Sequence, residues 1–161
     1  LIIHNASAFE PQAAEPAAQL AQFEQFYRVH MAAPFQLNRA LAPQLARQHN
    51  ASIIHITDIY IHAPAPQFAA YVATKAGAHS LAMSFARELA PEVRVNTIEP
   101  GPILFLDEHG DAWRQQVLAR TPLAREGGLE PIWQAVTLLM ANDYMTGASI
   151  RVDGGRALAV I

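Results

Sequence analysis

SIIHITDIYIHAPAPQFAAYVATKAGAHSLAMSFARELAPEVRVNTIE, residues 52–99, reads as a strand, a helix and a second strand in turn. Ser52 to Thr57 is short, apolar and rich in β-branched side chains, which suit a pleated surface. A loop with Pro64 and Pro66 follows, then a long amphipathic stretch from Phe68 to Ala90 that Pro91 stops. Val93 to Glu99 is the next strand, with Val93, Val95 and Ile98 apolar, and Pro100-Gly101-Pro102 breaks it sharply. Short apolar runs alternating with long amphipathic stretches are the pattern of parallel α/β units.

The same alternation extends both ways. Upstream, Leu1 to Ile3 is a short strand ended by the turn-prone Asn5-Ala6-Ser7. Pro16 to about Gln48 reads as helix through Leu20, Phe23, Phe26, Tyr27, Met31, Phe35 and Leu41, interrupted or bent near Pro34 and Pro43. Downstream, Asp111 to Arg120 is expected as a short helix over the site and Pro131 to Ala141 as a further helix. Ser149 to Val152 is the last strand, before an Asp153-Gly154-Gly155 turn. Four strands and three main helices predict one domain over residues 1–161, an α/β Rossmann-like parallel sheet that is half of a doubly wound fold.

Composition sets wider bounds. Hydrophobic residues are 52 % and the net charge is −3, ordinary for a soluble globular protein and without a basic footprint for nucleic acid. No cysteine is present, which excludes disulfides and thiolate metal sites, and the six histidines besides His30 show no metal-binding spacing, so no metal is assigned. No apolar run approaches the roughly 20 residues of a membrane helix, and the cytoplasm is the default location.

Lys75 is the sole lysine among eleven cationic side chains, and it lies four positions after Tyr71. On a helix the two share a face. An ammonium one turn from a phenol stabilises the phenolate, so the expectation is a Tyr71 pKa below its ordinary value of about 10 and a hydroxyl usable as a proton donor. A compact ammonium also donates to a ribose hydroxyl more readily than an arginine fork. The alternative is a surface pair on a solvated helix.

Asn5-Ala6-Ser7, Tyr71-x-x-x-Lys75, Pro100-Gly101 and Asp153-Gly154-Gly155, in that order, resemble the short-chain dehydrogenase/reductase family over essentially the whole chain. The resemblance implies a nicotinamide cofactor across the carboxyl ends of the sheet. It implies that Asn5 closes a central strand beside the cofactor, with Ala6 and Ser7 alongside, and that Tyr71 donates the proton. Lys75 would bind the nicotinamide ribose, and the backbone around Pro100, Gly101, Pro102 and Ile103 would meet the carboxamide. The wider family implies NADPH.

Departures sharpen that reading. Where the family usually has a serine before the Tyr helix, this chain has Asp58, thirteen positions before Tyr71. Buried beside a phenol, its pKa should rise, and it could pass a proton to a ring nitrogen directly or through Tyr71. That suits imine reduction better than ketone reduction. The alternative is a loop cap. The substitution resembles the pteridine reductases, including the dihydromonapterin and dihydrofolate reductase branch. By that likeness Ser7 reaches cofactor or pterin, and Phe9 stacks on the pterin ring, unless it only packs on the next helix. His30 stands where many members keep an asparagine that orders a water beside the lysine. It is either a water-holding relay or a buried structural histidine. Leu104 and Phe105 follow the Pro-Gly turn without the family's frequent threonine and are expected to line the substrate pocket.

All eight glycines lie at or beyond Gly77, so the first 76 residues hold no glycine-rich turn for a pyrophosphate. The expectation is a carboxyl-terminal portion lacking the ADP half of the site, slow or inactive alone. Ala69, Ala70, Ala73, Ala76, Gly77, Ala82 and Ala86 would allow close helix approach in a homo-oligomer, dimer or tetramer, unless they pack on their own sheet. The resulting expectation is an NADPH-dependent reductase of dihydropterin or dihydrofolate-like substrates. A general carbonyl or alcohol dehydrogenase, or a non-catalytic oligomerising remnant, are the alternatives.

Overall fold

The computed structural model describes residues 1–107 and 109–159. Four strands, β1 (Ile2–His4), β2 (Ala51–Ile56), β3 (Val93–Pro100) and β4 (Ser149–Val152), form one sheet in the order β1-β2-β3-β4. Every pairing is parallel, with Ile3 opposite Ile54, Ile53 opposite Val95 and Ile98 opposite Ile150. Helices fill the crossovers: α1 (Pro16–Tyr27), α2 (Ala33–Leu45), α3 (Ala69–Glu88), α4 (Asp111–Ala119) and α5 (Glu130–Ala141).

Side chains alternate across a strand, and the sheet uses both faces. Ile53, Val93 and Val95 pack against Leu45, Ala82, Phe85 and Ala86 on one side. Ile54 and Ile98 pack against Ala135, Val136 and Leu139 of α5 on the other. Between these apolar residues β3 carries buried polar ones. Arg94 reaches the carbonyls of Leu139 and Met145 at 2.8 and 3.1 Å, satisfying the open carbonyl end of α5. Asn96 donates to Met145 O and accepts from Ala148 N, both at 2.9 Å, which seats β4.

The expected helix over residues 16–48 divides in two. Arg28–Ala32 form a wide π turn in which Ala33 N–H donates to Arg28 O. Pro34 supplies the cause: it has no N–H for the His30 carbonyl, and its ring would strike that carbonyl in a regular ladder. Pro43 is accommodated inside α2. The helix carrying Tyr71 is shorter than expected, because Phe68 belongs to a preceding 3-10 turn at Pro66–Phe68. The strands otherwise fall within a residue of expectation. Ala82 and Ala86 lie in the chain's own core, and Met31 fills the space above Gly77, so these small residues serve internal packing.

The sheet positions the site by ending its strands at one level. The Gly101 amide donates to Val152 O at 2.9 Å, and a Cβ placed there would lie 2.6 Å from Asp153 Cβ and 2.7 Å from its Cα. Asp153 is itself held, its carboxylate accepting from Gly155 N and Ala157 N at 2.9 and 2.8 Å. Gly101→Ala is therefore expected to cost about 1–3 kcal/mol in urea unfolding, since backbone must move to admit one methyl. An unchanged midpoint would mean that this approach is looser than described.

Candidate active site

The carboxyl ends of the strands enclose a cleft of about 530 Å³. Asn5, Ser7 and Phe9 enter it from the segment after β1, Asp58 from the end of β2, and Tyr71 from the first turn of α3. The Pro100–Ile103 turn and Leu104 close one side, with Phe105 beyond. Ala6 and Lys75 do not line this cleft. They line a small adjoining cavity with His4, His30 and His55.

Asp58 does two things. It leaves β2 in extended conformation and Oδ1 accepts from Tyr60 N at 2.8 Å, capping the 3-10 turn Ile59–Ile61. Its other oxygen accepts from the Tyr71 hydroxyl at 2.7 Å. The loop cap and the phenol partner, alternatives in sequence, coexist because a carboxylate has two oxygens. Phe9 stacks on Phe68 with centroids 4.7 Å apart and meets Tyr71 edge-on at 5.0 Å, yet stays 42 % exposed toward the cleft. Phe9 thus packs on the residue that leads into α3 and also lines the cleft.

Burial governs the electrostatics. The Asp58 carboxyl is pushed up by desolvation, against hydrogen bonds from Tyr60 N–H and Tyr71 and the pull of Lys75. The expectation for Tyr71 is corrected here. Its pKa is raised well beyond the usual phenol range, first by burial and then by the adjacent Asp58 carboxylate. Lys75 does not offset this: its Nζ donates to Ile56 O at 3.1 Å and lies over the Tyr71 ring, 5.7 Å from its centre. Only 4 % exposed, the ammonium is itself pushed by burial down to about 8.

His30, in the wide turn, is buried among aromatics, stacked at 5.7 Å on Phe26 and edge-on at 5.5 Å to Tyr71. Its Nδ1 lies 2.8 Å from Thr74 Oγ1 and its Nε2 2.9 Å from Ser7 Oγ. Sequence reasoning had named His30 and Ser7 separately but not their contact. It had also missed the aromatic wall made by His109 and Trp113, whose rings lie 4.4 Å apart, with Phe105 at 5.4 Å from the indole. The expected helix over the site was its only signal. Among the described residues no cluster of three or more His, Cys, Asp or Glu could hold a metal ion, and no helix is long and apolar enough to cross a membrane.

A family model of the short-chain dehydrogenase type, described as Enoyl-(Acyl carrier protein) reductase, matches residues 1–157. The chain belongs to the short-chain dehydrogenase/reductase family. Within the family it is 39 % identical to the dihydromonapterin reductase of Enterobacter sp. (strain 638) over 161 residues, and 40 % identical to that of Escherichia coli (strain K12) over 162. Each alignment covers 98 % of this chain and 66 % of the relative, so the chain spans just under two thirds of their length. Among solved structures it is similar to FolM alternative dihydrofolate reductase 1 from Brucella canis complexed with NADP, with a TM-score of 0.87 and 28 % identity, covering 97 % of this chain and 62 % of that one. The Brucella suis protein, also in complex with NADP, matches with a TM-score of 0.88 at the same identity, covering 97 % and 63 %. The family's Tyr-x-x-x-Lys pair falls on Tyr71 and Lys75, and both lie on α3 beside the cleft.

Proposed function

We propose that this chain carries the substrate side of an NADPH-dependent reductase acting on dihydropterin or dihydrofolate-like compounds in the cytoplasm. The observation that carries the reading is the 2.7 Å hydrogen bond from the Tyr71 hydroxyl to the Asp58 carboxylate, in a cleft with the exposed face of Phe9. The names and cofactor of its relatives support it. A nicotinamide would supply hydride. The residues fit that group: Lys75 spends one ammonium proton on Ile56 O, its one acceptor among the described residues, and keeps others for a ribose, while Asn5 and the Pro100–Ile103 turn border the cleft itself.

Reduction of a C=N bond adds hydride to carbon and a proton to nitrogen. Asp58 and Tyr71 provide that proton. The carboxyl, pushed upward by burial, is the stronger acid of the pair. Tyr71, raised further, does not rest as a phenolate. It passes its proton to the ring nitrogen as it takes one from Asp58, or it holds Asp58 in place for direct transfer. Lys75 would hold the ribose, and its charge balances the Asp58 carboxylate. Phe9 offers a stacking face to a flat bicyclic ring, worth about 0.5–1.5 kcal/mol beyond area burial.

The test compares initial rates with NADPH on 7,8-dihydropterin and on simple ketones, using the protein produced from its complete reading frame. The dihydropterin is expected to be preferred by at least about 100-fold in kcat/KM, the scale of a positioned acid. Equal rates would favour the general carbonyl dehydrogenase. As for assembly, α1 and α2 leave Leu20, Phe23, Tyr27 and Phe35 exposed, and a second copy of the chain is the proposed cover. Sedimentation at micromolar concentration is expected to show a dimer or tetramer, and a monomer would refute this.

A further inference from the structure

Ser7 stands in the cleft, and the polarity of its hydroxyl follows from counting protons behind it. Thr74 Oγ1 lies 2.8 Å from the carbonyl of Tyr71, a group that can only accept, so the single threonine proton is committed there. Toward His30 Nδ1, 2.8 Å away, Thr74 is left as an acceptor, and that nitrogen carries the imidazole proton. The opposite nitrogen is then bare. The backbone agrees independently: the Ala8 N–H, which can only donate, points at His30 Nε2 over 3.4 Å.

Ser7 Oγ lies 2.9 Å from that same bare nitrogen and 3.5 Å from the Ala8 carbonyl; the Tyr71 hydroxyl is also near enough to feel Ser7, but the imidazole makes the shortest contact and takes the serine proton. What remains on Ser7 for the cleft is lone pairs alone. His30 cannot readily turn over to exchange its nitrogens, since it is 3 % exposed and stacked on Phe26 with ring planes 12° apart. Burial and the neighbouring Lys75 push it down to about 4, so the bare nitrogen persists through neutral pH.

We propose that His30, held by Thr74 with its proton on Nδ1, is a positioning residue that makes the Ser7 oxygen a one-way acceptor, so that the ligand edge seated against Ser7 must present an N–H or O–H donor. The proton assignment rests on this chain's geometry. Only the choice of donor, an N–H on the edge of a pterin, rests on the proposed function. His30 touches neither ligand nor reacting atoms and acts through Ser7. A ligand offering a bare nitrogen or carbonyl at that position would meet a second set of lone pairs and be rejected.

The deciding measurement is the long-range ¹H–¹⁵N spectrum of the histidine rings in the protein from its complete reading frame. His30 is expected to show a protonated Nδ1 and a bare Nε2; an Nε2–H form overturns the proposal. Thr74→Val removes the acceptor behind Nδ1. It is expected to bring up the Nε2–H form and to raise KM for 7,8-dihydropterin about tenfold, more than it lowers kcat, with Thr74→Ser restoring both. A folded Thr74→Val protein with unchanged tautomer and KM also overturns it, and should that variant not fold, the wild-type spectrum still decides. Failure of the two readings is separable. An Nδ1–H ring in a protein that takes no dihydropterin refutes the pterin reading and supports this one, whereas dihydropterin turnover with an Nε2–H ring refutes this one alone.

Discussion

Asp58→Asn is expected to lower kcat for dihydropterin reduction by about 10²–10⁴-fold, the range over which a positioned acid contributes. Asparagine keeps the shape of the side chain and can still accept from Tyr60 N, so the 3-10 turn stays seated. What it loses is the exchangeable proton opposite the Tyr71 hydroxyl. Tyr71→Phe removes the other half of the same pair and is expected to fall in the same range. Because the two side chains handle one proton between them at 2.7 Å, the double variant should be little worse than either single one. The pH profile gives the sign. The active form has Asp58 protonated, and burial raises its pKa, so kcat should decline as pH climbs through a value above the ordinary carboxylate range. Asp58→Asn should be flat over that window. An Asp58→Asn enzyme within threefold of wild type would end the proposed chemistry.

Acid should unfold this chain early, and buried histidines are the reason. His4 and His55 are paired across β1 and β2 with rings 4.5 Å apart, and Asn38 joins them, accepting from His4 Nε2 at 2.7 Å and donating to His55 Nε2 at 3.2 Å. His55 is 1 % exposed, and burial, then the neighbouring His4, pushes it down to about 3; His30 is down at about 4, and His4 is lowered as well. In each case the folded-state value lies below the unfolded one, so between pH 6.5 and these values the unfolded chain binds more protons. Stability is present above 6.5 and is lost as pH falls. At about 1.4 kcal/mol per tenfold, His55 alone accounts for roughly 4 kcal/mol by pH 3, a large share of a typical 5–15 kcal/mol. Asp58 works the other way, its raised value favouring the fold in acid, but it is one group against three. Urea unfolding at a series of pH values should show free energy dropping from pH 6.5 toward 4, with His55→Gln flattening the slope. An identical slope in His55→Gln would reject this account.

Much of this was legible in the sequence because the signals are local. Tyr71 and Lys75 meet by helical spacing alone, and the β-branched runs fixed β2 and β3. The Asp58–Tyr71 pairing was legible only through the resemblance, since Asp58 stands where the family usually has a serine; the twelve residues between β2 and α3 do not by themselves bring the two side chains together. The sign of the Tyr71 shift was not. Adjacent helical positions place Lys75 near the ring, but only packing decides that the ammonium turns to Ile56 O while the carboxylate takes the hydroxyl. The buried polar residues of β3 were equally hidden. Arg94 and Asn96 alternate with valines as solvent-facing residues would, and their partners are helix and loop carbonyls from the far end of the chain. His30 reached Thr74 across 44 positions of sequence, through a helix irregularity whose effect on facing depends on three-dimensional packing.

That irregularity adds one backbone step to a helical repeat, and a step in an α-helix is a rotation of about 100°. Pro34 thereby sets the phase between two halves of one rod: α2 keeps Leu45 and Asn38 toward the sheet, while α1 is turned to lay Phe26 against Tyr71. The wide turn takes up that extra step by bonding Ala33 N–H to Arg28 O five residues back, so a one-residue deletion within it would close the turn into a regular repeat and bring the Pro34 ring against the carbonyl four residues before it. Turn and proline are a matched pair, and removing the turn alone leaves the ring without room.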